Sequence, residues 1–307
     1  MLIIKIRNIL KKPFRFIFYR SKNIFIKLTT ERYVNVYRPS SYPYLSGDTL
    51  RRFSDHVYDE TSKYSKLKIK NNDIVFVKIE FLREFLLTVN KKFSNTNYSV
   101  ISHNHDTEVN SDLIGDINYS NINLWTQNLN ILENKNTFIM PIGIENRRFL
   151  KNGRIHNFNQ ATKSNLGKKY LVTSNFNSNT NIKYRYPIEK FFNTISYVDT
   201  SKFTSEEYLQ KLSNYKFAIC PAGNGLDTHR IWESIFVDTI PVTIKNNFSQ
   251  NLVNNNIPCL ILKTWEDFLK FTQKDLNSIY DEYLEKFDFK INVSFDHWWN
   301  RIRNEPF

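Results

Sequence analysis

The stretch "KFAICPAGNGLDTHRIWESIFVDTIPVTI", residues 216–244, decides the architecture of this chain. It reads as an apolar run, a turn holding Gly223 and Gly225, an amphipathic segment opening at Asp227 or Thr228, and a second apolar run, Ile240–Ile244. Ile231 and Ile235 stand four apart, as do Trp232 and Phe236, so each pair shares a helical face. Strand, loop, helix and strand in that order make the unit of a parallel sheet, because parallel neighbours need a crossover between them.

The unit repeats outward. Residues 168–176, 194–198 and 258–263 read as further buried strands. Between them "TSEEYLQKLSNY" reads as a helix with a Thr204/Glu207 capping box, and "TWEDFLKFTQ" as one capped by Thr264. This predicts a Rossmann-like half over roughly residues 160–275. Toward the amino terminus, residues 73–89 read as a strand feeding a helix, 98–106 as a strand ending in polar residues, and 136–144 as another strand. "NINLWTQN" is a short strand or a turn, so this half is also α/β. The polar residues 145–166 suit a linker. "FDHWWNRIRNEPF", at the end of the sequence, is predicted to pack across the junction of the halves.

The 307 residues are 41% hydrophobic, with 25 Phe and 17 Tyr, which is sufficient for two packed cores. Asn is abundant throughout. Cys220 and Cys259 both fall in apolar runs and read as small core residues, not as a disulfide or a metal site; a reducing compartment follows. Forty-three Lys and Arg against 30 Asp and Glu give a net charge of +13, which calls for an anionic partner without choosing one. Eight of the basic residues lie in residues 1–28, which hold no acidic residue; without them the charge is +5. That leader is interrupted by Pro13 and lacks the roughly 20 apolar residues of a spanning helix. It reads as a segment lying on an anionic membrane surface, which would make the protein cytoplasmic and peripheral on the inner membrane face.

In an open parallel sheet, ligands bind at the carboxyl ends of the strands, where residues 221–230 lie. Gly223 and Gly225 let backbone approach a ligand, Asn224 sits between them, and free amides at the helix start attract a diphosphate. Arg230 adds a guanidinium suited to phosphate oxygens, and Thr228 and His229 add a hydroxyl and an imidazole. Glu233, one turn on, suits the vicinal hydroxyls of a ribose. Lys183 and Arg185 are further phosphate candidates. The stretch lacks the third glycine of a dinucleotide fingerprint and the Lys-Ser/Thr of a P-loop. On spacing alone, a plain glycine turn before a capped helix with a surface Arg-Glu pair remains the alternative.

The same residues resemble the C-terminal core of exostosin-like glycosyltransferases and related bacterial sugar transferases. Pro221, Gly223, Thr228, His229, Arg230, Glu233, Ile240, Pro241 and Val242 stand at the places of the family pattern over about 30 residues. The resemblance implies a GT-B-like α/β fold, two Rossmann-like domains with parallel sheets facing a central cleft. It also implies a nucleotide-sugar on the second domain, Arg230 on its diphosphate and Glu233 on its ribose. Asp238 departs from the pattern, which has a small residue or Gly there. The implied organisation is a leader (1–30), an acceptor-side domain (31–155), a nucleotide-sugar domain (156–280) and a junction segment (281–307).

Transfer of a sugar with inversion needs a base for the acceptor hydroxyl. Asp106 is the first candidate, with His105 from "SHNHDTE" and Asp48 from "SGDTLRRFSDH" behind it. The His-x-His spacing at His103 and His105 also fits a metallo-hydrolase motif, but Thr107 and Glu108 stand where its Asp and last His belong. No metal and no cofactor beyond the donor is expected. "MPIGIENRRF" brings Gly143, Glu145, Asn146 and Arg147 toward the crevice without an assigned role. The expected partners are a nucleotide-sugar and a glycan or lipid-linked saccharide acceptor, as in surface polysaccharide synthesis. The competing classes are a basic nucleic-acid-binding protein and a non-catalytic glycan binder; no nucleic-acid-binding signature is evident.

Overall fold

The computed structural model describes residues 38–62, 66–149, 153–161 and 167–307. The expected membrane-surface leader lies outside them.

Two five-stranded parallel sheets organise the chain, one in each half, which is the GT-B-like α/β class expected. The first runs β1 (His56–Tyr58), β2 (Ile74–Lys78), β3 (Tyr98–His103), β4 (Ile122–Thr126) and β5 (Thr137–Ile139), in sequential order. Its central strands are buried on both faces, which is why β2 reads as a continuous apolar run. The second sheet has the order β10-β9-β8-β6-β7, from β6 (Tyr170–Thr173), β7 (Val198–Asp199), β8 (Tyr215–Ile219), β9 (Ile240–Ile244) and β10 (Leu260–Leu262). After β6 the chain steps to one side for β7 and returns to the other for β8. The order therefore reverses between β6 and β8, and it is outside such a switch point that a crevice opens.

Five helices matter for the site: α1 (Gly47–Phe53), α2 (Ile182–Phe192), α3 (Tyr208–Leu212), α4 (His229–Phe236) and α5 (Phe295–Asn304). Helix α4 buries Ile231, Trp232, Ile235 and Phe236 against the second sheet's core, as their spacing predicts. Cys220 and Cys259 are free and buried there, and burial pushes the Cys220 thiol up to about 12. Asp238, the departure from the family pattern, has φ 56°. The turn needs the left-handed region, which is the physical reason a glycine suits this position.

Three sequence expectations shift. Residues 194–197 turn before β7 begins, because the Asn193 and Thr194 amides and the Thr194 hydroxyl are spent on the end of α2. The Thr204/Glu207 box forms only in part, in a turn ahead of α3: Glu207 N donates to Thr204 Oγ1, while the Glu207 carboxylate accepts from that hydroxyl and not from the Thr204 amide. Strand β1 was not expected. Helix α5 returns to the first half: Phe53 meets Phe295 at 4.5 Å, Phe295 N donates to Pro43 O, and Arg301 lies over Trp125. Arg301 also donates to Asn255 of the second half. Among the described residues no helix is long and apolar enough to cross a membrane.

Candidate active site

The carboxyl edges of the two sheets meet. At the switch point of the second sheet lies a cavity of about 630 Å³. Asn175, Asn177 and Ser178 line it after β6, Lys202 and Phe203 after β7, Tyr208 from α3, and Arg230 and Glu233 from α4. Four side-chain atoms around this edge are shut off from water with no hydrogen-bond partner among the described residues: Ser174 Oγ, Tyr208 Oη, Thr228 Oγ1 and Arg230 Nε. Seven other such atoms lie elsewhere among the described residues, so what sets these apart is their gathering at the switch-point edge. The Arg230 guanidinium lies over the Tyr208 ring at 5.4 Å. Burial raises the Glu233 carboxyl above its ordinary value, while His229 and Arg230 pull it down. Lys202 and Ser178 are both tied to Glu189, while Arg230 is met by the Tyr208 ring and the charge of Glu233.

The glycine turn does something other than cradle the cavity. Gly223 closes on Gly225 O through its amide at 2.9 Å, and Asn224 is exposed. A Cβ on Gly225 would stand 2.8 Å from the Asn128 side chain and 3.0 Å from Asp106 O, so this glycine permits approach of the first half. Thr228 is the N-cap residue of α4, but its hydroxyl makes no capping bond. Asp227 is buried and accepts from Trp232 Nε1 at 2.7 Å and Ile142 N at 2.6 Å; burial pushes it up to about 7. Arg185 is only 4% exposed and donates to the carbonyls of Ala222, Pro221 and Asn177. Its expected phosphate contact is replaced by a structural task, since those donors hold the turn from beneath.

The base candidates separate. Asp48 is wholly buried, with Arg148 at 3.2 Å, Arg38 at 3.6 Å and the Asn104 amide at 3.1 Å. That enclosure removes it from an acceptor's reach. His105 stands 3.4 Å from Glu80 and 2.7 Å from Thr107 Oγ1, so its ring is engaged within its own half. Asp106 is exposed, with its backbone against Gly225. The residue that sequence reasoning left without a role is Glu145, 3.5 Å from His229 Nε2 across the junction. His229 Nδ1 donates to Gly143 O at 2.7 Å. Among the described residues no group of three His, Cys, Asp or Glu side chains is placed to hold a metal ion.

His103 is fully packed. Its Nε2 donates to Pro141 O at 3.0 Å and its Nδ1 accepts from Asn104 N at 2.8 Å, which fixes the neutral tautomer. Burial pushes its pKa down to about 4. The folded state thus refuses a proton that the unfolded chain takes up below its ordinary value of about 6.5. The His103 contribution is present above pH 6.5 and is lost as pH falls toward 4, by up to about 3 kcal/mol. Urea unfolding of wild type and His103→Gln across pH 4–7.5 checks this, with the variant expected to lack that part of the slope.

No protein-family model matches the chain, and no curated protein matches it. Solved structures of similar course include an apo structure of OtsA, at 10% identity over 78% of this chain and 74% of that one, with a TM-score of 0.43. Another is described as trehalose-6-phosphate from E. coli bound with UDP-2-fluoro glucose, at 9% identity over 77% and 74%, TM-score 0.41. A third is the GtfA/B complex, at 9% over 77% and 58%, TM-score 0.36. At these values neither ligand nor activity transfers, and the reading below rests on the residues themselves.

Proposed function

We propose that this chain is a glycosyltransferase that moves a sugar from a nucleoside-diphosphate donor to a glycan or lipid-linked saccharide. The observation that carries the reading is the set of unpartnered buried polar atoms, Ser174 Oγ, Tyr208 Oη, Thr228 Oγ1 and Arg230 Nε, beside a nucleotide-sized cavity at a topological switch point. Arg230 and the amino terminus of α4 take the diphosphate and stabilise it as it leaves the anomeric carbon. Glu233 accepts from the ribose hydroxyls. A carboxylate of the first half takes the acceptor proton, and Asp106 and Glu145 are the candidates for it at the junction. On this reading residues 31–155 serve the acceptor and 156–280 the donor. The basic composition of residues 1–28 supports attachment to an anionic membrane face. Deleting them is expected to abolish co-sedimentation with anionic vesicles; unchanged sedimentation removes that part of the proposal.

A thermal-shift screen against UDP, GDP, CDP and their common sugar conjugates tests the donor assignment. One nucleotide at about 100 times its Kd should stabilise the fold by about 2.7 kcal/mol, since it binds the folded state alone. No shift with any of them transfers the assignment to a nucleic-acid or glycan binder.

A further inference from the structure

Each of residues 141–146, which follow β5, is tied to one half or the other, so the segment as a whole holds both. On the first-half side, Pro141 O accepts from His103 Nε2, and Ile144 N donates to Leu45 O at 2.9 Å. The Asn146 side chain accepts from Asp48 N at 2.7 Å and donates to Asn104 Oδ1 at 3.0 Å. On the second-half side, Ile142 N donates to Asp227, Gly143 O accepts from His229, and Glu145 stands beside His229. Gly143 has φ 66°, and a Cβ on it would run into Leu45 O. A second tie runs parallel: Asn128 accepts from Asp227 N at 2.8 Å and donates to His105 O at 3.1 Å.

We infer that residues 141–146 are a strap that sets the first half against the donor pocket, and that Asp227 is the positioning residue that clasps it. Both Asp227 oxygens accept from N–H groups, one from the strap and one from Trp232 of α4, the helix that carries Arg230 and Glu233. The carboxylate therefore fixes Glu145 relative to those two side chains. An amide cannot replace it, because its NH2 would face an N–H donor. The glycine turn is explained by the same assembly, since Gly225 must pass close to Asn128 and Asp106 for the clasp to shut. The positional consequence for catalysis rests on the glycosyltransferase reading; the clasp itself rests on contacts alone.

Hydrogen exchange followed by mass spectrometry, on the full chain and on Asp227→Asn and Asn128→Ala, tests it. Peptides covering residues 141–146 and 103–106 should exchange at least about tenfold faster in Asp227→Asn, with those of β8 and β9 unchanged. Asn128→Ala should do the same more weakly. Unchanged protection of the strap in both variants overturns the inference, and so does a uniform loss across both sheets, which would make Asp227 only a core residue. UDP, GDP and CDP are then titrated into the same proteins. Because the pocket belongs to the second half, affinity should stay within about threefold, while turnover with the active donor should fall roughly 100-fold, the effect of an ångström-scale misplacement. If no nucleotide binds wild type, the donor assignment fails while the exchange result still decides the clasp.

Discussion

Arg230→Ala is expected to weaken binding of the active nucleoside diphosphate by roughly 10- to 100-fold, with the protein still folded. The guanidinium lines the cavity over the Tyr208 ring, and its Nε has no internal partner. Its removal takes away charge-assisted hydrogen bonds to ligand, each of about 1.5–3 kcal/mol, and no hydrogen bond made by Nε within the fold. Arg230→Lys should recover only part of the affinity, because an ammonium lacks the planar fork that grips two phosphate oxygens. Isothermal calorimetry, with circular dichroism as the folding control, measures both. Wild-type affinity in Arg230→Ala would mean that the cavity holds something other than a phosphate.

The largest effect on stability is expected at Arg51. Its Nε donates to Asp59 Oδ2 at 2.7 Å and its Nη2 to Thr61 at 3.0 Å, and both members of the ion pair are almost wholly buried. Burial alone would raise the Asp59 carboxyl, yet the Arg51 contacts and Thr61 outweigh it and hold it at about 2. Removing the cation strands a buried carboxylate, so Arg51→Ala should lower unfolding free energy by about 3–5 kcal/mol. In wild type the depressed pKa gives stability that is present above about pH 3.9 and lost as pH falls through 2; in the variant that acid loss should shrink or reverse, because a proton relieves the stranded, buried carboxylate. Urea titrations at pH 7 and between pH 2 and 5 check both statements. A loss below about 1 kcal/mol would show that Arg38, 3.9 Å from Asp59, takes over the pairing.

What the sequence announced was local. The bounds of β9, the face of α4 and the placement of Arg230 and Glu233 all follow from apolar spacing and turn chemistry over 29 residues. What it concealed depends on partners far along the chain. Arg185 has the look of a phosphate ligand, and nothing nearby shows that its donors are consumed by carbonyls some 37 residues on. Asp227 resembles a helix cap, but it meets Ile142, 85 residues earlier. Asn128 was one asparagine among many. Here a compositional clue existed: the chain has only seven glycines, and Asn72, Asn104, Asn128 and Asn256 all adopt left-handed backbone. Asparagine tolerates that region better than other side chains, so it takes turns that glycine would otherwise fill. Strand β1 escaped because three residues, His56–Tyr58, are too few to show a period.

The return of α5 to the first half has a consequence for synthesis. The aromatic cover of Phe53 and Trp125, and the Asn123 amide's acceptors at Glu305 O and Pro306 O, are supplied by residues 295–306, which are made after every strand of both sheets. The second sheet draws its strands from residues 170–262, all of them made before those residues. Although the first sheet emerges earliest, it must wait with part of its surface bare, so the order of emergence and the order of completion are opposite. During that interval the exposed aromatic surface is what a chaperone would have to shield.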